Sequence, residues 1–134
     1  KGLNCGRGSK DKKKNIIMNL KKVAKKMSVK NNHLILMYQT HSNKVIEIKK
    51  NNYKKKIRAD AMVTKMRGIA LGVVTADCVP ILIYDRKNKI IGCIHAGWRG
   101  AISGVIKNTI LKIRKLNSDN KIYATIGPCI GKES

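Results

Sequence analysis

Two histidines and one cysteine stand at the ends of short apolar runs, Cys78 and His95 close to proline or glycine: His41 in QTH (39–41), Cys78 in TADC (75–78) and His95 in IHAGWRG (94–100). Two imidazoles and a thiolate suit a zinc or copper ion, and three protein ligands leave the fourth tetrahedral position open for water or substrate. An open position implies catalysis. Taken singly, each residue has a plainer reading: a lone cysteine is usually a small buried hydrophobe, and a lone histidine a satisfied polar side chain. Their joint occurrence beside glycines is what gives the three a chemical meaning.

The flanking residues extend that chemistry. A zinc ligand must be thiolate, and a bound cation lowers a thiol pKa enough to make it so. Asp77, directly before Cys78, could orient an imidazole, serve as a base, or simply cap the end of a strand. His95 ends an apolar run that feeds Gly97-Trp98-Arg99-Gly100 and then a helix. Glycine N–H groups and a helix start attract anions, so Gly97 and Gly100 are candidate phosphate or substrate contacts, and Arg99 adds a guanidinium that can grip phosphate at two points. A surface ion pair is the plain alternative for Arg99, and helix packing the plain alternative for Trp98. Cys93, between Ile91 and Ile94, reads as core; Cys129 either lines the site or fills space. A metal-free alternative keeps Cys78 and His95 as a nucleophile and base acting on amide or acyl substrates.

Positioning these groups falls to a run of strands between two helices. From Ser9 to Met27, apolar residues at 16, 17, 20, 23, 24 and 27 have the period of an amphipathic helix, with Ser9 as its cap. HLILMY (33–38) and VIEIK (45–49) read as strands joined by the turn-like QTHSN, which places His41 at a strand end. Four more strands follow, AMVT (61–64), IALGVVTA (69–76), VPILIYD (79–85) and KIIGCIHA (89–96), rich in β-branched residues and separated by turn signals. Apolar positions from Trp98 to Leu116 trace one helical face, and KIYATIG (121–127) is a last strand. Helix, several strands, helix, strand is the order of an α+β or layered α/β domain and not of repeated βαβ units.

The chain has 134 residues, 43% of them hydrophobic, enough for a single domain spanning 1–134 with a real core. It starts without Met and stops just after a Gly-Pro turn, so we expect an internal fragment of a longer chain. The net charge of +23 raises a polyanion-binding alternative. Between Ala59 and Ala101, however, six basic residues (Lys65, Arg67, Arg86, Lys87, Lys89 and Arg99) face three acidic ones (Asp60, Asp77 and Asp85). The segment with the motifs therefore supplies +3, and the rest sits in Lys-rich stretches such as KKNNYKKKIR (49–58). With arginine scarce, no Phe and one Trp, specific nucleic-acid recognition is not expected. Cysteine spacing shows no C-x-x-C pair, nothing resembles a signal peptide, and no apolar run approaches the roughly 20 residues of a membrane span, so a cytoplasmic protein with no membrane contact is expected.

QTHSNKV, ADAMVT, LGVVTADCVPIL, IHAGWRG and IGPCIG, in this order, closely resemble the YfiH family, described both as multicopper polyphenol oxidoreductase laccase and as purine nucleoside phosphorylase; GLNCGRGSKD and the helix after it match its N-terminal part. The resemblance implies a layered α/β sandwich with a mixed sheet and flanking helices, grouped with cysteine hydrolases of the toxin deamidase type. It implies zinc held by His41, Cys78 and His95, phosphorolysis of adenosine, inosine and methylthioadenosine, and deamination of adenosine. Purine nucleoside and phosphate would be its partners, and copper the alternative metal. Copper-dependent phenol oxidation needs several coppers and more histidines than His33, His41 and His95. The family usually has Gly where this chain has Ser42, and Arg in the first helix where this chain has Leu20.

Overall fold

A computed structural model describes residues 2–116 and 121–131. Among the described residues, eight strands form two sheets. β1 (Leu34–Tyr38) lies between β3 (Ile57–Arg58) and β5 (Ala70–Gly72) in an all-parallel three-stranded sheet. The second sheet is mixed, in the order β2 (Val45–Glu47), β4 (Ala61–Thr64), β7 (Ile90–Ala96), β6 (Val79–Asp85) and β8 (Tyr123–Ile126). Only β2 and β4 run parallel there; β7, β6 and β8 are joined antiparallel.

The layers follow from where the branched residues point. Val63, Ile81, Ile83 and Ile94 meet Val105 and Ile113 of α3 (Val105–Leu116) on one face of the five-stranded sheet. Met62 and Cys93 point the other way and meet Ile35, Met37 and Ile57 of the three-stranded sheet. Covered on both faces, β4 is buried along its whole length, as a continuous apolar strand should be. Removing the side chain of Ile94 or Ile113 down to alanine would open a void in the helix layer at a cost of about 2–5 kcal/mol. Helix, mixed sheet and second sheet make the layered α+β sandwich that the pattern predicts.

Several elements depart from the sequence reading, each for a local reason. The first helix, α1, runs Lys13–Lys26 and is not capped by Ser9. Ser9 Oγ accepts instead from Asn4 Nδ2 at 2.9 Å, and Asp11 Oδ1 receives the Lys12 N–H at 2.7 Å and Asn15 Nδ2 at 3.0 Å. Ile16 and Ala24 turn inward, while Ile17 and Met27 of the expected stripe are each 54% exposed. The expected long helix breaks into α2 (Trp98–Ile102) and α3, because Gly104 has φ +93°, a left-handed conformation suited to glycine. The short strand β3 hides in the basic run, where Ile57 fills the core beneath exposed lysines.

The largest departure concerns β1 and β2. They are consecutive in sequence but belong to different sheets, so the 39–43 segment is a crossover between layers and not a hairpin turn. That crossover carries His41 across the start of β4, next to the end of β7.

Candidate metal centre

His41 lies three residues past the end of β1 and has φ +58°, a left-handed conformation that costs an ordinary L-residue about 1–2 kcal/mol. One carboxylate offsets it. Asp60, fully buried at the start of β4, accepts the backbone N–H groups of Thr40 (3.1 Å), His41 (2.9 Å) and Ser42 (2.7 Å), together with the hydroxyls of Thr40 (3.2 Å) and Ser42 (2.7 Å). Burial pushes the Asp60 pKa up, but the hydrogen bonds from the Ser42 hydroxyl, His95 and the Ser42 and Thr40 amides more than offset this and bring it from 3.8 to about 2.

His95 lies near the end of β7, opposite Pro80 of β6, and is 3% exposed. Its N–H donates to the Asp60 carbonyl at 2.7 Å, and its ring Nδ1 sits 2.9 Å from Asp60 Oδ1. Cys78 is the residue before β6, in a loop clasped by Gln39, whose side-chain amide donates to Val74 O (2.7 Å) and accepts from Val74 N (3.0 Å). Gln39 thus ties the Cys78 loop to the segment that bears His41.

The three side chains converge. Cys78 Sγ is 3.8 Å from His41 Nε2, the rings of His41 and His95 meet edge to face with centroids 4.8 Å apart, and one ligand atom from each residue lies within 4.8 Å of the others. In a tetrahedral zinc site with bonds of about 2.0 and 2.3 Å, a nitrogen and a sulfur ligand stand about 3.5 Å apart, so the His41–Cys78 separation of 3.8 Å nearly fits and a pair 4.8 Å apart needs to close by about 1.3–1.5 Å. Gly97, buried at the start of α2, forms the wall: a Cβ there would meet His41 Cδ2 at 2.7 Å and Cys78 Sγ at 3.0 Å. His41 is exposed, so one side of the cluster faces solvent.

Other candidates from the sequence lie apart from this convergence or contribute differently. The carboxylate on an imidazole is Asp60; Asp77 is exposed, and its backbone carbonyl accepts from Ile130 N at 2.9 Å. The imidazole in contact with Cys78 Sγ is His41, whereas the metal-free alternative pairs Cys78 with His95. Gly100 is buried with Ser42 O only 3.0 Å from where its Cβ would stand, so its bareness lets α2 approach the crossover. Arg99 is exposed on the five-residue α2 and stacks on Trp98 at 5.1 Å; Trp98 itself is 68% exposed and does not pack at the helix start. Cys93 is core, its thiol pushed up to about 12 by burial, and Cys129 is exposed. His33 bonds Gly68 O at 2.9 Å, with Tyr53 against its ring. Asp60 is the residue that sequence reasoning passed over, although an acidic residue fused to the buried run AMVT is a signal for a satisfied, functional carboxylate.

Residues 1–134 match the family described as multi-copper polyphenol oxidoreductase laccase. A purine nucleoside phosphorylase of Rickettsia conorii is 35% identical over 127 residues, 92% of this chain and 52% of its own length. An adenosine deaminase of an unknown prokaryotic organism is 34% identical over 117 residues, covering 81% of this chain and 45% of its own. The crystal structure of the Bacillus licheniformis hypothetical protein YfiH superposes with a TM-score of 0.88 at 30% identity, over 96% of this chain and 52% of that one. The chain thus spans about half the length of the relatives it matches.

Proposed function

Because the chain belongs to the multi-copper polyphenol oxidoreductase laccase family, whose members above carry phosphorylase and deaminase names, we propose that it holds the site of a zinc-dependent purine nucleoside phosphorylase. In this reading it acts on adenosine, inosine and methylthioadenosine and also deaminates adenosine. The observation that carries the proposal is the convergence of His41, Cys78 and His95 at three element ends, with one side open to solvent. Two imidazoles and a thiolate suit zinc, with a single copper as the alternative occupant. A multicopper centre needs further histidines, and among the described residues no second His/Cys/Asp/Glu cluster of ligand spacing occurs.

When bound, zinc supplies a Lewis acid and a water of lowered pKa. The chain's own residues do the rest. His41, Cys78 and His95 hold the ion, Gly97 keeps the wall free of a side chain, and the exposed flank at His41 admits the nucleoside. Arg99, two residues beyond Gly97, would hold phosphate for attack at the ribose C1′, where a bond to phosphate oxygen forms as the C1′–N9 bond breaks and the purine leaves. The four cysteines are free, which fits a reducing, cytoplasmic setting.

One observation favours a second reading. The 3.8 Å contact from Cys78 Sγ to His41 Nε2 would let that imidazole take the thiol proton and make a metal-free nucleophile. Metal analysis of protein purified without chelator, paired with an adenosine assay with and without phosphate in protein of family length, separates the two. About one zinc per chain and phosphate-dependent release of adenine support the first. No zinc in an active protein overturns it.

A further inference from the structure

We infer that Asp60 is the positioning residue of this centre: a single buried carboxylate that clamps the His41 crossover through its backbone and at the same time holds the His95 proton on Nδ1, aiming both imidazoles at one point. The inference rests on the reading that the trio binds a metal, and it adds how two ligands from separate elements are kept in register.

Six donors converge on the two oxygens of Asp60: the backbone N–H groups of residues 40, 41 and 42, the hydroxyls of Thr40 and Ser42, and His95 Nδ1. A carboxylate offers about four lone-pair sites, so the set is saturated and leaves no room for another donor. An ionised carboxylate can only accept. The His95 ring must therefore carry its proton on Nδ1, which leaves the Nε2 lone pair free to serve as the ligand atom of a ring that His41 meets edge to face. His41 is governed by the same group through its main chain. Its left-handed φ persists because three successive amides end on Asp60, and that φ is what carries its Nε2 to Cys78 Sγ.

Ser42 adds a second contact beyond its backbone: its hydroxyl donates to Asp60 Oδ2 at 2.7 Å and also accepts the Lys44 N–H at 3.3 Å. The hydroxyl occupies Oδ2, which leaves Oδ1 to the Thr40 and His41 amides and to His95 Nδ1.

Asparagine is the discriminating substitution. If its amide nitrogen takes the place of Oδ1, it faces the His41 N–H and can only donate to His95 Nδ1, which moves the ring proton to Nε2 and blocks the ligand edge. If it takes the place of Oδ2, it faces the Ser42 N–H at 2.7 Å and releases the crossover. A purely structural polar residue would have no such effect on a histidine proton.

The test uses the 134-residue chain, with zinc as probe. Long-range 1H–15N spectra of the metal-free protein should show His95 protonated on Nδ1. Zinc affinity by chelator competition should fall about 10- to 100-fold in Asp60→Asn, and less than about 10-fold in Ser42→Ala with the His95 tautomer unchanged. Thermal unfolding establishes that each variant is folded. An Nε2-protonated His95 in the wild type overturns the inference even if Asp60→Asn does not fold. So does a folded Asp60→Asn that keeps wild-type zinc affinity and tautomer. A wild type that binds no zinc while His95 is protonated on Nδ1 would instead sink the metal reading and support the role of Asp60 in the tautomer.

Discussion

Replacing Gly97 by alanine puts a methyl group where His41 Cδ2 would be 2.7 Å away, Cys78 Sγ 3.0 Å and His41 Nε2 3.4 Å. The backbone at Gly97 (φ −66°, ψ 156°) is one that any residue adopts, so no conformational strain accompanies the change. With free space, Gly→Ala at such a position would stabilise the fold by about 0.4–1 kcal/mol through the unfolded chain. Overpacking acts in the other direction, at about 1–3 kcal/mol. What decides the outcome is which atoms give way. Both clashing groups are ends of side chains at the partly open flank of the cluster, so they can swing outward without moving a strand. The steric cost therefore falls on the convergence of the ligands, not on the fold. Charged to the metal site at tenfold per 1.4 kcal/mol, it weakens zinc binding by roughly 5- to 150-fold, while Tm stays near or above the wild-type value in metal-free protein. Gly100→Ala supplies the contrast. There the obstacle is the Ser42 carbonyl at 3.0 Å, part of the main chain, so that variant should lose about 1–3 kcal/mol of stability. Chelator-competition titration and thermal unfolding of both metal-free variants measure the two effects. If Gly97→Ala binds zinc as tightly as the wild type, or unfolds as Gly100→Ala does, the placement of Gly97 as the wall of the site is refuted.

Three further outcomes follow from the same geometry. Cys78→Ser should lower zinc content and phosphorolysis together, because serine is a poor zinc ligand at neutral pH; a variant that keeps its zinc and loses all activity makes the thiol a nucleophile. Arg99→Ala, exposed and outside the ligand cluster, should leave zinc bound and raise the phosphate requirement about tenfold or more, as loss of a charge-assisted contact of about 1.5–3 kcal/mol would; equal damage to deamination would show that Arg99 holds no phosphate. Asp60 has its pKa lowered to about 2, so its stabilising contribution is complete above the ordinary value of 3.8 and is lost as pH falls through about 2. The Tm gap between metal-free wild type and Asp60→Asn should accordingly be constant above about pH 4 and narrow towards pH 2; a gap independent of pH across that range would contradict the assignment.

The strands were largely legible because their residues obey short-range rules. VPILIYD coincides with β6, whose inward residues Ile81, Ile83 and Asp85 alternate with exposed Leu82 and Tyr84. AMVT coincides with β4. What the pattern could not give was the pairing of β1 and β2 with different sheets, since alternation records how many faces are covered and not by which layer. The break at Gly104 was hidden for a related reason. Apolar residues at 98, 101 and 102 continue the helical period, but Trp98 and Ile102 are exposed, 68% and 82%, so they reflect composition and not a buried face.

The site shows the same division. His41, Cys78 and His95 are readable as candidates because their types are rare and each closes a short apolar run, yet the carboxylate that the motifs offer to an imidazole is Asp77, the neighbour of Cys78. Asp60 lies 35 residues before His95 and 19 after His41, and its link to each is made by sheet pairing: β4 runs antiparallel to β7, and the parallel β2–β4 pair brings the crossover over the start of β4. A carboxylate buried this deeply is tolerated only where donors already converge. The crossover supplies those donors because His41 turns left-handed, and His41 turns left-handed because the carboxylate is there. The two halves of that arrangement come from segments 19 and 35 residues apart, so no local window of sequence contains it; it is assembled by the pairing of β2, β4 and β7, which also makes the geometry of the centre a reporter of the completed fold.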